Sequence, residues 1–195
     1  NLWGSKTSKS GPGSEINYTS KYVEELMQFL QKYKIKSIFD APCGDFIWMK
    51  QVVSSLKLDY LGGDIVEELI DNNKKKYSNI KFIQFDITKD SLPNYEVFHC
   101  RDCLFHFSYK DITKTFNNFI KSNISFILVS NHEGFFKNND IETGGARYLN
   151  LKKYPFNFAE PIEKLKDYQN KRMPRYLYLY DRKQIKEFLN KANLN

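Results

Sequence analysis

Four times along this chain a short apolar run stops at an aspartate: Ser37-Ile38-Phe39 at Asp40, Leu58 to Gly63 at Asp64, Ile80 to Phe85 at Asp86, and Val97 to Arg101 at Asp102. After the first and second runs the pattern changes to helical spacing, over Phe46 to Leu56 and Val66 to about Lys75. Asp111 to Lys121 is a further helical stretch, and a fifth apolar run, Ile124 to Val129, ends near Asn131. Strands separated by helices cannot pair through tight hairpins. They pair through crossovers, which predicts βαβ units and a parallel sheet.

The expected fold is therefore α/β: a Rossmann-like, doubly wound, mostly parallel sheet with helices on both faces. An earlier helix is predicted from Glu15 to about Tyr33, with Tyr22, Val23, Leu26, Phe29 and Leu30 on one face. A late antiparallel strand over Arg175 to Tyr180 and a final helix over Lys183 to Leu189 follow. At 195 residues and 41% hydrophobic content the chain suits one domain. Within it we read an arm at 1–14, a core at 15–131, an insert at 132–172 and a closing strand and helix at 173–195. No regular alternation is legible between Asn131 and the late strand, and a stretch that long is expected to serve recognition.

The net charge of +7 invites a nucleic-acid reading. Only five of the 30 basic residues are arginines, leaving 25 lysines spread along the chain, and the dense run Lys74-Lys75-Lys76 falls at a predicted helix end, where cations complement the dipole. A nucleic-acid partner is not the expectation. Three cysteines, an odd number, argue for a reducing compartment rather than a disulfide framework. Cys100 and Cys103 form a C-x-x-C near His99 and His106, but a strand scatters such groups to opposite faces, so buried thiols are expected and no metal. No apolar run is long enough to span a membrane, and a cytoplasmic protein is expected. The sequence opens on Asn1, which leaves open whether residues precede it. Its oligomeric state is also open.

In a doubly wound sheet, ligands bind beyond the carboxyl ends of the strands, where the aspartates recur. The first turn, Asp40-Ala41-Pro42-Cys43-Gly44-Asp45, is the informative one. A dinucleotide fold places G-x-G-x-x-G there so that pyrophosphate can approach the backbone. Here a single glycine and the extra carboxylate of Asp45 disfavour pyrophosphate and suit a cofactor bearing an ammonium and a sulfonium, S-adenosylmethionine (SAM).

The segment Phe39-Asp40-Ala41-Pro42-Cys43-Gly44-Asp45-Phe46 resembles the first motif of class I SAM-dependent methyltransferases, D-x-G-x-G-x-G, with Pro42 where a glycine is usual. The resemblance runs from about Ile35 to Asn131. It implies that Ala41, Cys43 and Gly44 line the methionine moiety with Asp40 and Asp45 near its ammonium. Asp64 takes the ribose hydroxyls beside Ile65, and Asp86-Ile87 meets the adenine. Arg101 contacts the cofactor or is paired to a nearby acid. Early Trp3-Gly4 and Gly11-Pro12-Gly13-Ser14, central Arg101-Asp102-x-Leu104-x-His106, and late Gly144-Gly145-x-Arg147-x-Leu149-Asn150 resemble small methyltransferases of bacterial surface-polysaccharide (capsule) gene clusters. Trp3 then belongs to a lid.

The expected activity is methyl transfer to an oxygen or nitrogen of a small molecule, such as a sugar or a phosphorylated metabolite, with S-adenosylhomocysteine (SAH) as product. RNA or protein methylation is the enzymatic alternative, and a non-catalytic nucleotide-binding module is the other. A hydroxyl or ammonium acceptor must lose a proton, and histidine has a suitable pKa. His106 and His132, after the fourth and fifth runs, are the candidates, while His99 inside a strand is expected to be structural. Asp102 either orients a histidine or caps its turn. On the acceptor side stand Arg147 and Asn150. Arg147 is either a surface residue or, turned inward, a partner for phosphate or carboxylate.

Overall fold

A computed structural model describes residues 10–134, 136–168 and 172–192. Among the described residues seven strands form one sheet: β1 (Ser37–Asp40), β2 (Asp59–Asp64), β3 (Lys81–Gln84), β4 (Val97–Cys100), β5 (Phe126–His132), β6 (Glu163–Lys166) and β7 (Arg175–Asp181), in the spatial order β3-β2-β1-β4-β5-β7-β6. β1 to β5 are mutually parallel, and β7 runs antiparallel to both β5 and β6. The alternating α/β reading and the antiparallel late strand both hold. β6, unforeseen in the sequence, is a charged edge strand with only Leu165 buried.

The described helices that cover the faces are α1 (Ile16–Lys32), α2 (Met49–Leu56), α3 (Glu67–Lys76), α4 (Tyr109–Lys121) and α5 (Arg182–Ala192). Strand periodicity divides the core accordingly. Leu128 of β5 and Leu177 and Leu179 of β7 face α1 to α3, packing with Tyr22, Leu26, Val52 and Ile70. Ile127, Val129, Tyr178 and Tyr180 face the opposite way, against Phe116 of α4 and Phe188 of α5. Each fully buried large apolar side chain contributes roughly 1.5–3 kcal/mol. α3 carries Glu67 and Glu68 in its first turn and Lys74, Lys75 and Lys76 in its last, so the basic run complements the helix dipole.

Two helices begin more than one residue away from the sequence expectation. α2 starts at Met49 rather than Phe46, because Phe46 has φ +59° and its ring is buried against Tyr60, Tyr77 and Phe82. α4 begins at Tyr109, two residues before Asp111, because Ser108 caps it by accepting the Asp111 amide at 3.2 Å. The order of strands reverses between β1 and β4, which places the switch point of the sheet at Asp40 and the turn following Cys100.

Candidate functional site

Asp40 ends β1 with both carboxylate oxygens engaged and is 1% exposed. The Tyr60 hydroxyl donates to Oδ2 at 2.7 Å, and Nδ1 of His99 lies 2.6 Å from Oδ1. The Tyr22 hydroxyl is 2.8 Å from the other ring nitrogen of His99. With Nδ1–H donating to Asp40, Nε2 accepts from Tyr22, so a sealed chain crosses the sheet edge from β2 through β1 and β4 to α1. Burial first, and the neighbouring carboxylates second, keep both tyrosines protonated by raising their pKa values. Sequence reasoning marked Asp40 and the structural character of His99. It missed Tyr60 and Tyr22, whose roles depend on strand register and helix packing.

Beyond Asp40 the turn is tightly specified. Ala41 is fully buried, and its amide donates to the His99 carbonyl. The Cys43 amide donates to the Gly63 carbonyl, and burial pushes the Cys43 thiol far above its usual range. Gly44 has φ +56°, and a Cβ there would stand 2.5 Å from Ser10 Oγ. That serine accepts the Asp45 amide at 2.9 Å, so the N-terminal arm lies against this turn. Asp64 of β2 accepts the Gly44 amide and the Val66 amide, each at 3.1 Å, and burial raises its pKa. Asn73 of α3 donates to the Gly44 carbonyl at 2.7 Å. Next to Asp64, Ile65 and Val66 are 61% and 52% exposed, an apolar ledge at the rim of the strand ends.

Asp86 accepts from the Thr88 amide and hydroxyl and pairs with Lys89 at 2.9 Å. Partial burial raises its pKa, but Lys89 and Thr88 outweigh that and hold it below the ordinary value. Ile87 is buried in the core. Trp3 lies outside the described residues.

Past β4 stands a buried ionic cluster. Arg101 is 4% exposed, and its guanidinium meets Asp167 through Nε and Nη2 (3.3 and 3.0 Å), the Gly13 carbonyl through Nη2 (2.9 Å) and Asp102 through Nη1 (3.3 Å). Arg175 of β7 closes the cluster on Asp102 at 2.8 Å and Asp167 at 2.7 Å. Between the two sequence readings of Arg101, pairing to an acid is thus what the geometry displays. Asp102 likewise pairs with two arginines, while the carboxylate against a buried histidine is Asp40. A Cβ on Gly13 would lie 2.8 Å from Asp102 Oδ2, so the arm packs directly on this cluster. Asp167 and Arg175 escaped the sequence reading because they lie 66 and more residues from Arg101.

Next to this cluster, His106 and His132 flank the ring of Phe105, at centroid distances of 4.4 and 5.1 Å. His106 Nδ1 is 2.7 Å from the Gly145 carbonyl, which assigns the hydrogen to Nδ1 and the lone pair to Nε2. His132 shows the reverse: the Leu149 amide lies 3.4 Å from its Nδ1, so Nε2 carries the hydrogen. Burial, and secondarily the Arg175 charge, lowers the His132 pKa to about 4. Asn150 is 4% exposed and closes a turn by accepting the Lys152 amide at 3.0 Å, with its own amide donating to Asn138. Arg147 donates through Nη1 to the Phe107 carbonyl at 2.6 Å and lies over the Tyr109 ring. Cys100 and Cys103 are buried beside each other, and among the described residues no group of acids, histidines and cysteines is placed to hold a metal. None of the described helices is long and apolar enough to cross a membrane.

No family model and no curated protein matches this sequence. Solved structures do resemble the backbone. A SAM-dependent methyltransferase from Clostridium acetobutylicum ATCC 824 aligns at TM-score 0.63 and 13% identity, covering 86% of this chain and 93% of the other. The methyltransferase domain of bacterial CtHen1-C aligns at 0.65 and 11%, covering 86% and 98%. The PH0226 protein of Pyrococcus horikoshii OT3 aligns at 0.62 and 16%, covering 86% and 96%. At these identities the likeness is one of fold, and the chain has the Rossmann-like fold of class I SAM-dependent methyltransferases.

Proposed function

We propose that this chain is a SAM-dependent methyltransferase acting on an oxygen or nitrogen of a small acceptor and releasing SAH. The observation that carries the reading is the switch-point turn. There Gly44, whose missing Cβ lets Ser10 of the arm close on the turn, stands between Asp40 and Asp45 and is tied to Asp64, next to the exposed ledge of Ile65 and Val66. Two carboxylates flank this turn, which suits a cation and opposes a pyrophosphate.

When bound, SAM supplies an electrophilic methyl group on a sulfonium. The turn from Ala41 to Asp45 would hold its methionine part, Asp64 its ribose hydroxyls, Ile65 and Ile87 its ring, and Asp86 its exocyclic amine. Asp40, locked by Tyr60 and His99, fixes the turn and supplies negative charge beneath it. Arg101 acts through the arm, holding the Gly13 carbonyl. The chain's own contribution to rate would be chiefly to hold the acceptor in a fixed position for the transfer. His106, held through Nδ1 by the Gly145 carbonyl, is the residue we assign to take the acceptor's proton. His132, neutral and hydrogen-bearing at Nε2, orients the acceptor as a donor.

The narrower acceptor class, a sugar or phosphorylated metabolite of a surface polysaccharide, rests on the sequence resemblance described above. RNA or protein acceptors are disfavoured by the scarcity of arginine, and by the pairing of Arg101, Arg175 and Arg182 inside the protein. Calorimetry with SAM and SAH tests the reading: both should bind, and Asp64→Ala should abolish binding while the variant retains a cooperative melt. A folded wild-type chain that binds neither removes it.

A further inference from the structure

Among Arg101, Arg147 and Arg182, Arg147 is the one with buried nitrogens that have no partner among the described residues. Arg101 is matched on every nitrogen, and Arg182 donates to the carbonyls of Phe119, Ile120, Ser122 and Ile124. Arg147 donates only through Nη1, to the Phe107 carbonyl. Its Nε and Nη2 are buried and have no partner among the described residues, and the buried hydroxyl of Tyr109 is unpartnered too.

The identity of the two nitrogens matters. In a planar guanidinium the Nε–H and Nη2–H bonds are parallel and form the side-on fork that takes two oxygens of a carboxylate or phosphate at once. The anchored nitrogen is the one outside that fork. Tyr109 lies beneath, its ring centroid 5.2 Å from Cζ, adding an attraction for the cation and a hydroxyl of its own. Leaving a buried donor unsatisfied is costly, and here three polar atoms of two touching side chains are unsatisfied together. Among the described residues no carboxylate bonds to this arginine. Asp140, the acid nearest in influence, is occupied by the amides of Tyr109 and Ile141.

Arg147 is also fixed relative to the candidate base. Its amide donates to the Phe105 carbonyl, Nη1 to the Phe107 carbonyl, the Gly144 amide to the His106 carbonyl, and His106 Nδ1 to the Gly145 carbonyl. The loop 144–147 is thus stitched along the turn 105–107, and the fork and the imidazole move as one unit.

We propose that the Nε and Nη2 fork of Arg147, with the Tyr109 hydroxyl, is an oxyanion site that receives a phosphate or carboxylate group of the methyl acceptor, making that acceptor an anionic metabolite. This rests on the methyltransferase reading for the word acceptor, and on the geometry alone for the anion. The loop must open locally for entry, because the fork is closed to solvent in this conformation. The open groove of about 510 Å³ on the loop's flank is lined by Asp111, Asp140 and Glu142 and would repel the ligand.

The test uses the full chain labelled with nitrogen-15, following arginine Nε–H resonances while inorganic phosphate, or in a second arm acetate, is added. The Arg147 signal, assigned by its absence in Arg147→Lys, should shift saturably. Arg147→Lys keeps the charge without the fork and should weaken phosphate about tenfold or more, the loss of one charge-assisted hydrogen bond. Tyr109→Phe should weaken it roughly two- to tenfold. The preferred arm tells phosphate from carboxylate. SAH binding, measured by calorimetry on the same samples, should be unchanged in both variants. No saturable shift in a wild-type chain that binds SAH overturns the oxyanion site and leaves the methyltransferase reading intact. A shift in a chain that does not bind SAH keeps the anion site and ends its assignment to a methyl acceptor.

Discussion

Arg101 and Arg147 are both guanidinium groups laid over tyrosine rings, at 5.5 Å from Tyr22 and 5.2 Å from Tyr109, yet their surroundings have opposite effects. Burial alone would lower the pKa of either. At Arg101 the Asp102 and Asp167 carboxylates reverse the sign and raise it, whereas at Arg147 burial outweighs Tyr109 and Asp140 and the pKa falls. The first arginine is spent within the protein, joining the arm, β4 and the β6–β7 hairpin. The second is anchored at one nitrogen and keeps its recognition edge. Burial of an arginine is therefore no guide to its role until each nitrogen has been accounted for.

The contrast can be broken at either end. Arg101→Met should destabilise the fold by about 3–5 kcal/mol in urea unfolding, since Asp102 and Asp167 would be left to a single buried cation. A loss below about 1 kcal/mol would mean that the cluster is not held as described. Its second cation, Arg175, also bears on His132, whose folded pKa of about 4 lies below the ordinary 6.5. The unfolded chain therefore takes up a proton that the native state refuses. This contribution is complete above pH 6.5, worth about 3 kcal/mol, and is lost as pH falls towards 4. His132→Gln should flatten that limb of the stability profile, and an unchanged slope would contradict a neutral, buried imidazole.

Smaller effects sharpen the comparison. Gly13→Ala places a Cβ 2.8 Å from Asp102 Oδ2 and should cost about 1–3 kcal/mol, lowering Tm by roughly 2–4 °C per kcal/mol. Arg147→Met, which removes two unpaired buried donors, should leave stability within about 1 kcal/mol of wild type or raise it. A loss on the scale expected for Arg101 would show that the fork already has a partner.

The central strands were legible because a buried parallel strand reads as an apolar run, and because an aspartate marks several of the places where the chain turns out of the sheet. β6 was not, because Glu-Lys-Leu-Lys at a sheet edge buries a single side chain and carries no period of its own. The turn from Asp40 to Asp45 and Asp64 was located correctly at the strand ends. The partners of Asp40 were hidden, since the Tyr60 contact depends on β1 pairing Asp40 with Gly62 of β2, and the His99 contact on pairing Asp40 with His99 of β4. Arg147 was singled out, but which of its nitrogens is anchored is a property of loop 144–147 lying along 105–107 and leaves no trace in the sequence.

The ionic cluster gathers Gly13, Arg101, Asp102, Asp167 and Arg175, with separations of 88 residues from Gly13 to Arg101 and 66 from Arg101 to Asp167. Closing loops of that length is entropically expensive and is repaid only when the last segment docks. The cluster should then assemble after the rate-limiting step of folding, and weakening it should accelerate unfolding while leaving the folding rate nearly untouched. The contacts that hold the arm to the sheet are, on this view, a brake on the chain's escape from the native state.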